Sequence, residues 1–119
     1  MWENFYEITD QKQREEGFEA RIRLNPEHLI YKAHFPDNPV TPGVCILQIC
    51  QELVAAYFHK PLRMVRAKNI KFLNVLRPAE NREVVFKIGC SEGAEGIEAS
   101  IIISDKEKVF AKISAVYKG

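Results

Sequence analysis

Cysteine is scarce in this chain, and the few copies are not arranged as metal ligands. The chain has three cysteines, Cys45, Cys50 and Cys90, and no Cys-x-x-Cys pair. An odd number of cysteines without a secretory signal favours reduced thiols over disulfides. The cysteine content therefore argues against a zinc site and predicts a reducing compartment, which we expect to be the cytoplasm.

The chain also lacks a long apolar run and a strong net charge. No apolar run reaches membrane-spanning length, and the N-terminus has no basic start followed by an apolar core, so we expect no export signal. The formal net charge of +1 argues against a general nucleic-acid binder. A length of 119 residues with 46% hydrophobic content predicts one globular domain over residues 1–119.

The most informative stretch runs from His34 to Leu53 and reads as a polar loop entering an apolar helix. Thr41 is a favourable N-cap residue, Pro42 suits the first helical position, and Gly43 lets a ligand approach the first-turn amides. These amides and the helix dipole favour an oxyanion or a polarised carbonyl.

The predicted helix, Val44 to Phe58, is apolar on most of its surface. Its polar exceptions are Gln48, Gln51 and Glu52, whose spacing places them on one face. A helix this apolar must be covered by other elements. Its polar stripe then faces either solvent or a cavity.

The rest of the chain shows strand-like patterns. Gly17 to Leu24 alternates strictly between apolar and polar residues. Further strands are predicted at Leu62–Leu76, Glu83–Cys90, Ile97–Ser104 and Lys108–Tyr117, with a bulge near Lys68-Asn69 and Val65, Ala67, Ile70, Phe72 and Val75 pointing inward. An aromatic N-terminal segment is a strand or a packing flap, residues 11–16 are a charged turn, and residues 28–33 are extended. Short turns indicate antiparallel neighbours, so we predict an α+β fold with a curled antiparallel sheet around one long central helix.

The loop carries a motif that identifies a family resemblance. Its residues His34, Phe35, Pro36, Pro39, Pro42, Gly43 and Val44 match the pattern H-F-P-G-x-P-x-x-P-G-V. This pattern resembles the 3-hydroxyacyl-(acyl carrier protein) dehydratases of type II fatty acid synthesis, which have the hotdog fold. A second, weaker match covers Ile70–Phe72 and the turn at Arg77–Glu80.

The sequence departs from the family pattern at two positions. The family's catalytic acid is replaced by Gln48, and the glycine after His-Phe-Pro is Asp37. An amide can hold a water or a hydroxyl, but it cannot donate and recover a proton as a carboxyl group does. Glu52, one turn further along the helix, and Asp37, near His34, are the possible substitute acids.

The resemblance implies a lyase that dehydrates a 3-hydroxyacyl thioester to the trans-2-enoyl thioester in fatty acid or related lipid or polyene synthesis. His34 would be the base, the amides of Gly43 and Val44 would stabilise the enolate oxygen, and Gln48 would position the hydroxyl or a water. Phe35, Pro42, Val44 and Phe72 would contact the substrate. An acyl tunnel would be lined by Phe72 and by one apolar helix face, which holds Cys45, Ile46, Leu47, Ile49 and Cys50; plain core packing also explains these residues. No metal or redox cofactor is expected, because neither removal of the proton nor loss of the hydroxyl group transfers electrons to or from the substrate. The acyl group is expected on the phosphopantetheine of acyl carrier protein or on coenzyme A.

The family also suggests partners. Its histidine and acid come from opposite subunits, so we expect a homodimer or a higher assembly of dimers. Alternatively, a heterodimer with an acid-bearing homologue would supply the acid that Gln48 lacks. Lys60 to Arg82 holds seven basic residues and one acidic residue. This segment is either a docking surface for an acidic carrier protein or the solvent face of a strand.

Two other function classes remain open on the sequence. A hotdog acyl thioesterase would activate water with a carboxylate, here Asp37 or Glu52. A non-enzymatic acyl-binding subunit would keep the fold without turnover. Release of free thiol would identify the first, and tight binding without reaction in any pairing would identify the second.

Overall fold

The computed structural model describes residues 4–33, 37–80 and 83–119. Six strands and two helices follow one another along the chain, and their bounds are β1 Tyr6–Arg14, β2 Gly17–Leu24, α1 Leu29–Ala33, α2 Gly43–Phe58, β3 Arg63–Phe72, β4 Glu83–Glu92, β5 Ile97–Ser104 and β6 Val109–Lys118. The strands form one antiparallel sheet in the order β1-β2-β4-β5-β6-β3. The predicted architecture of an antiparallel sheet with one long helix is confirmed.

The core lies between α2 and the sheet. Helix residues Ile49, Cys50, Leu53 and Val54 are at most 2% exposed. They share one hydrophobic cluster with alternate residues of β2, β4, β5 and β6. The period-two pattern of these strands gives each of them one apolar face, and the apolar surface of α2 covers it.

Helix α2 ends where its sequence predicts an end. His59 adopts a left-handed conformation with φ of 55°. The N–H groups of His59 and Lys60 donate to the carbonyls of Ala56 and Ala55, both at 3.2 Å. These bonds satisfy carbonyls of the last turn that have no partner further along the helix.

Two local predictions are wrong. Residues 11–16 are not all turn, because Gln11 to Arg14 pair with β2 and only Glu15 and Glu16 form the turn. Their polar side chains suit an edge strand that faces solvent. Residues 28–33 are not extended, because Leu29–Ala33 forms α1. The side chain of His28 starts this helix by accepting a hydrogen bond from the Ile30 N–H at 3.1 Å.

Strand β3 also differs from its prediction. The bulge is confirmed, since the register with β6 shifts between Ala67 and Asn69. Of the residues expected to point inward, only Ile70 is half-buried, while Val65, Ala67, Phe72 and Val75 are exposed. The strand lies at the edge of the sheet, so part of its surface has no covering element within the described chain.

Two leucines of opposite burial test this core. Leu53 is 2% exposed and Leu29 is 74% exposed. We expect Leu53→Ala to lower the free energy of unfolding by about 2–5 kcal/mol, because it removes buried methyl groups and leaves a cavity. Leu29→Ala, the matched control, should change it by less than about 0.5 kcal/mol. Urea denaturation monitored by circular dichroism measures both, and equal losses would contradict the described packing.

Candidate functional site

The first turn of α2 presents free backbone donors. Pro42 is the N-cap residue, with ψ of 147° and no side-chain cap. Its carbonyl accepts from the N–H groups of Cys45 and Ile46 at 3.0 and 3.2 Å. Within the described chain, the N–H groups of Gly43 and Val44 therefore keep no acceptor, and the helix dipole adds to their positive potential.

Thr41 does not cap this helix as predicted, because Pro42 occupies the N-cap position and the first helical residue is Gly43. Its hydroxyl instead hydrogen-bonds the hydroxyl of Tyr31 at 2.9 Å, and both residues are buried. The Thr41 N–H donates to the Leu76 carbonyl at 2.8 Å. These bonds join Tyr31 to Thr41 and fasten Thr41 to the chain that follows β3.

A cavity of about 320 Å³ opens beside the first turn of α2. Its lining residues come from the α2 entry and from the chain at the end of β3, and they are Val40, Thr41, Gly43, Ile46, Phe72, Leu73, Asn74, Val75 and Leu76. The far wall is anchored to β6, because Leu73 N–H and the Asn74 side-chain amide donate to the carbonyls of Phe110 and Val109, both at 2.8 Å.

Gly43 and Phe72 meet closely in this cavity. A Cβ atom built on Gly43 would lie 2.8 Å from the Phe72 ring, well inside van der Waals contact. Glycine is therefore the residue that lets the aromatic ring lie against the helix start. The ring packs against the side of Gly43 where a side chain would project, and Phe72 is still 49% exposed.

A second polar cluster lies one turn further along α2. The Gln48 side-chain N–H donates to one carboxylate oxygen of Glu52 at 3.0 Å, and the Tyr6 hydroxyl donates to the other at 2.8 Å. All three side chains are half-buried. Burial, followed by the bond to Glu52, raises the pKa of the Tyr6 phenol, which therefore stays protonated as a donor at neutral pH.

The remaining predicted site residues are distributed as follows. Val44 is 68% exposed on the same helix face as Gln48, one turn before it, and Pro42 is half-buried. Asp37 is exposed. His34 and Phe35 lie outside the described residues. The structure thus brings Gly43 and Phe72 together and joins Gln48 to Glu52, but Gln48 does not line the cavity beside Gly43.

The predicted polar stripe is divided between two contacts. The Gln51 side-chain carbonyl accepts from the Met64 N–H at 2.8 Å, which ties α2 to the start of β3. Of the helix residues considered as tunnel lining, Cys45, Ile46, Ile49 and Cys50 are buried in the core. Core packing, the alternative left open by the sequence, accounts for Cys45, Ile49 and Cys50, whereas Ile46 also lines the cavity beside Gly43.

Sequence reasoning missed Tyr6 and Tyr31. Tyr6 is 46 residues from Glu52, and the contact depends on where β1 joins the sheet.

Two larger surface depressions, of about 420 and 530 Å³, lie near Arg23 and near Gly17, and neither is lined by a predicted site residue. No group of three or more potential metal-binding side chains occurs in the described ranges. The helices of those ranges are also too short or too polar to cross a membrane.

This fold and this helix entry define a hotdog-fold protein of the dehydratase type. The model of the ApeI-like family, described as ApeI dehydratase, matches residues 10–112. The chain therefore belongs to the ApeI-like dehydratase family, which is consistent with the resemblance of its histidine-loop motif to 3-hydroxyacyl-(acyl carrier protein) dehydratases.

One named relative agrees with this assignment, and two solved structures share the fold. The chain is 27% identical over 96 residues to the 3-hydroxyacyl-[acyl-carrier-protein] dehydratase FabZ of Latilactobacillus sakei, covering 75% of this chain and 69% of that one. The structure of the dehydratase heterocomplex ApeI:P from Xenorhabdus doucetiae superposes with a TM-score of 0.73 at 18% identity, over 95% of this chain and 97% of the other. An uncharacterized protein from Erwinia carotovora gives a TM-score of 0.67 at 17% identity, over 94% and 92%.

The buried pair of hydroxyls of Tyr31 and Thr41 leads to a prediction on alkaline stability. Burial raises the pKa of Tyr31 from 10.0 to about 12. The folded state thus favours the neutral phenol, and this contribution is complete below pH 10 and is lost as the pH rises through 12.

Tyr31→Phe should remove this dependence. At pH 8 the variant should be less stable by about 1 kcal/mol, the usual net value of a lost hydrogen bond. Between pH 10 and pH 12 its free energy of unfolding should fall less steeply than that of the wild type. Urea denaturation across this pH range measures both effects, and parallel curves for the two proteins would contradict the prediction.

Proposed function

We propose that this protein dehydrates a 3-hydroxyacyl thioester to the trans-2-enoyl thioester. The observation that carries the proposal is the pair of free amides, Gly43 and Val44, at the start of a long helix beside a cavity that Gly43 and Phe72 line. Such donors stabilise the oxyanion that develops when a proton leaves the carbon next to a thioester carbonyl. Family membership supports the same reaction class.

In the proposed mechanism, the thioester carbonyl accepts hydrogen bonds from the Gly43 and Val44 amides, and His34 removes the C2 proton. The bond between C3 and its hydroxyl oxygen then breaks as the double bond between C2 and C3 forms. His34 gives its proton to the departing hydroxyl group, which leaves as water. Gln48 accepts a hydrogen bond from the hydroxyl and holds it in position. Phe35, Pro42, Val44 and Phe72 contact the acyl thioester. Since the reaction is an elimination, it transfers no electrons and needs no redox cofactor.

The proposed site is shared between two subunits. Gln48 does not line the cavity at Gly43 of its own chain. Strand β3 is an edge strand of 10 residues that leaves Val65 and Phe72 about half exposed. An uncovered strand edge with apolar residues is a favourable surface for a second subunit. In the proposed dimer, the histidine of one chain and position 48 of the other belong to one site, as the family resemblance implies.

A heterodimer is the second candidate assembly. Gln48 has no titratable group and its amide is already engaged by Glu52, so a related subunit with a carboxyl group at this position would supply the missing acid. The structural neighbour from Xenorhabdus doucetiae is itself a heterocomplex, which supports testing such pairing.

Turnover of a short 3-hydroxyacyl thioester, followed by enoyl absorbance, tests the reaction. We expect His34→Ala to lower the rate at least about 100-fold, the usual contribution of a general base. His59→Asn is the matched control, since His59 is exposed at the other end of α2 in a left-handed conformation that asparagine tolerates. Free thiol without enoyl product would indicate a thioesterase, and binding without reaction would indicate an acyl-binding subunit.

Gln48→Glu distinguishes the two assemblies. The introduced carboxyl lies next to the Glu52 carboxylate, so its pKa should rise and leave it partly protonated near neutral pH, as a general acid requires. A silent wild type that becomes active with Gln48→Glu would support a missing partner acid. An active wild-type homodimer, assayed alone after co-purification has been checked, would contradict the heterodimer.

We also propose acyl carrier protein as the substrate carrier, docked on the outer face of β3 and β6. Lys71 lies directly opposite Lys112 in this pair of strands, and both are exposed. Like charges at facing positions repel each other unless an anionic partner neutralises them. Other basic residues of the predicted segment are neutralised locally, since Arg66 pairs with Glu95 and Lys68 with Glu98.

Charge reversal tests this docking surface. Lys71→Glu and Lys112→Glu should each raise KM for the carrier-linked substrate by about tenfold at low salt, while leaving KM for a coenzyme A substrate much less affected. Lys12→Glu in β1, at the opposite edge of the sheet, is the matched control. Equal effects of all three variants, or equal effects on both substrates, would contradict the proposed surface.

A further inference from the structure

We infer that the Thr41 hydroxyl donates a hydrogen bond to a carbonyl oxygen of the ligand in the cavity beside Gly43, and that Tyr31 fixes the direction of this hydroxyl. The inference rests on the proposed function, because it assigns a further binding residue to that site. Thr41 is then a binding residue, and Tyr31 is a positioning residue that acts through it. The carbonyl oxygen belongs either to the thioester group or to an amide of the pantetheine arm.

The buried hydroxyl pair has one proton more than its hydrogen bond uses. Each hydroxyl carries one proton and can also accept a hydrogen bond. The two oxygens of Tyr31 and Thr41 lie 2.9 Å apart, and either one can be the donor. Neither hydroxyl has another partner among the described residues. One of the two protons is therefore left without an acceptor in this part of the chain.

Burial decides which hydroxyl keeps the spare proton. Tyr31 is 1% exposed, belongs to the core cluster and does not line the cavity beside Gly43. A spare proton on Tyr31 would thus be an enclosed donor without an acceptor, which folded proteins avoid. Thr41 is 4% exposed and does line the cavity. The favoured arrangement has Tyr31 donating to Thr41 and Thr41 offering its own proton to the cavity.

Both residues are held firmly enough to keep this arrangement. The Tyr31 ring stacks on Phe5 with ring centroids 5.5 Å apart, and the Tyr31 N–H donates to the His28 carbonyl at 3.0 Å. The Thr41 N–H donates to the Leu76 carbonyl at 2.8 Å. Burial raises the pKa of Tyr31 to about 12, so its hydroxyl keeps the proton that it donates at neutral pH.

The cavity is apolar around this donor. Its other buried lining residues, Ile46 and Leu76, are aliphatic. Asn74 also lines it, but this residue is exposed and its side-chain amide donates to the Val109 carbonyl. A donor on a buried wall binds a ligand acceptor more strongly than an exposed one, because water competes less. A single placed donor among apolar residues is typical of ligand sites, and a carbonyl oxygen is an acceptor that acyl thioesters contain.

Affinity for a thioester that cannot be dehydrated tests the donor. Butanoyl-pantetheine lacks a 3-hydroxyl group, so it binds without reacting, and nuclear magnetic resonance titration of the full chain gives its Kd. We expect Thr41→Val, which keeps the shape but removes the hydroxyl, to raise Kd about fivefold. Thr41→Ser, the matched control that keeps the hydroxyl, should stay within about twofold of the wild type.

Tyr31→Phe separates a binding role from a purely structural one. Thr41→Val leaves the Tyr31 hydroxyl without an acceptor, so the comparison is repeated in Tyr31→Phe, where that hydroxyl is absent. Tyr31→Phe alone keeps the Thr41 donor and loses only its fixed direction, so it should raise Kd about twofold. Adding Thr41→Val should raise Kd to the value of Thr41→Val alone. Equal effects of the two single substitutions would identify a structural pair and overturn the inference.

A second ligand identifies the carbonyl. S-methyl butanethioate has the thioester carbonyl but no amide. Equal weakening of both ligands by Thr41→Val places the hydrogen bond on the thioester carbonyl, and weakening of butanoyl-pantetheine alone places it on an amide of the arm. Unchanged affinity for both ligands overturns the inference.

The inference and the proposed function fail separately, because enoyl formation and these affinities are independent measurements. A wild type that dehydrates its substrate, with a Kd that Thr41→Val does not change, overturns the inference alone. A protein that binds through Thr41 but forms no enoyl product supports the inference and contradicts the proposed function. Absence of binding of either ligand, by the full chain in the assembly that it forms, overturns the inference.

Discussion

Burial of the apolar surface of α2 is the interaction on which the rest of this structure depends. A helix with this many apolar residues is stable in water only when another element covers them. The alternating strands β2, β4, β5 and β6 supply that cover. The functional groups then lie where the cover ends: the first turn, where Val44 is 68% exposed, and the polar stripe that begins at Gln48. The helix thus provides both the core and a fixed axis for the candidate site.

The sequence predicts the central strands well and the edge of the sheet poorly. The bounds of β2 and β5 agree with the observed ones, because both strands alternate and each has a neighbour on either side. Strand β3 carries an equally apolar pattern, yet Phe72 is exposed. Pattern alone identifies which residues are apolar, whereas their burial depends on whether the topology places an element over them. Helix α1 was missed for a local reason, since its start relies on a histidine side chain that is not a common helix cap.

The candidate site shows the same division. The motif from His34 to Val44 and the amide at Gln48 follow from the order of residues along the chain, and family membership agrees with the motif. The contacts that organise these residues do not follow from it. Tyr6 reaches Glu52 across 46 positions, and Thr41 uses its hydroxyl for Tyr31 rather than for the helix. Both contacts require knowledge of strand order and of the path of the loop, which no local pattern contains.

The contact between Gly43 and Phe72 has a consequence for the history of the sequence. A side chain at position 43 would occupy the space of the tip of the Phe72 ring, so a substitution there requires the ring to shift. A lineage that replaces Gly43 has to move the ring at 72 or shorten that residue, whereas glycine at 43 accommodates a large ring where it stands. The helix entry and the end of β3 are 29 residues apart in the sequence, yet they meet in one contact of the fold. Homologous chains should therefore show correlated substitutions at this pair, with small residues at one position accompanying large residues at the other.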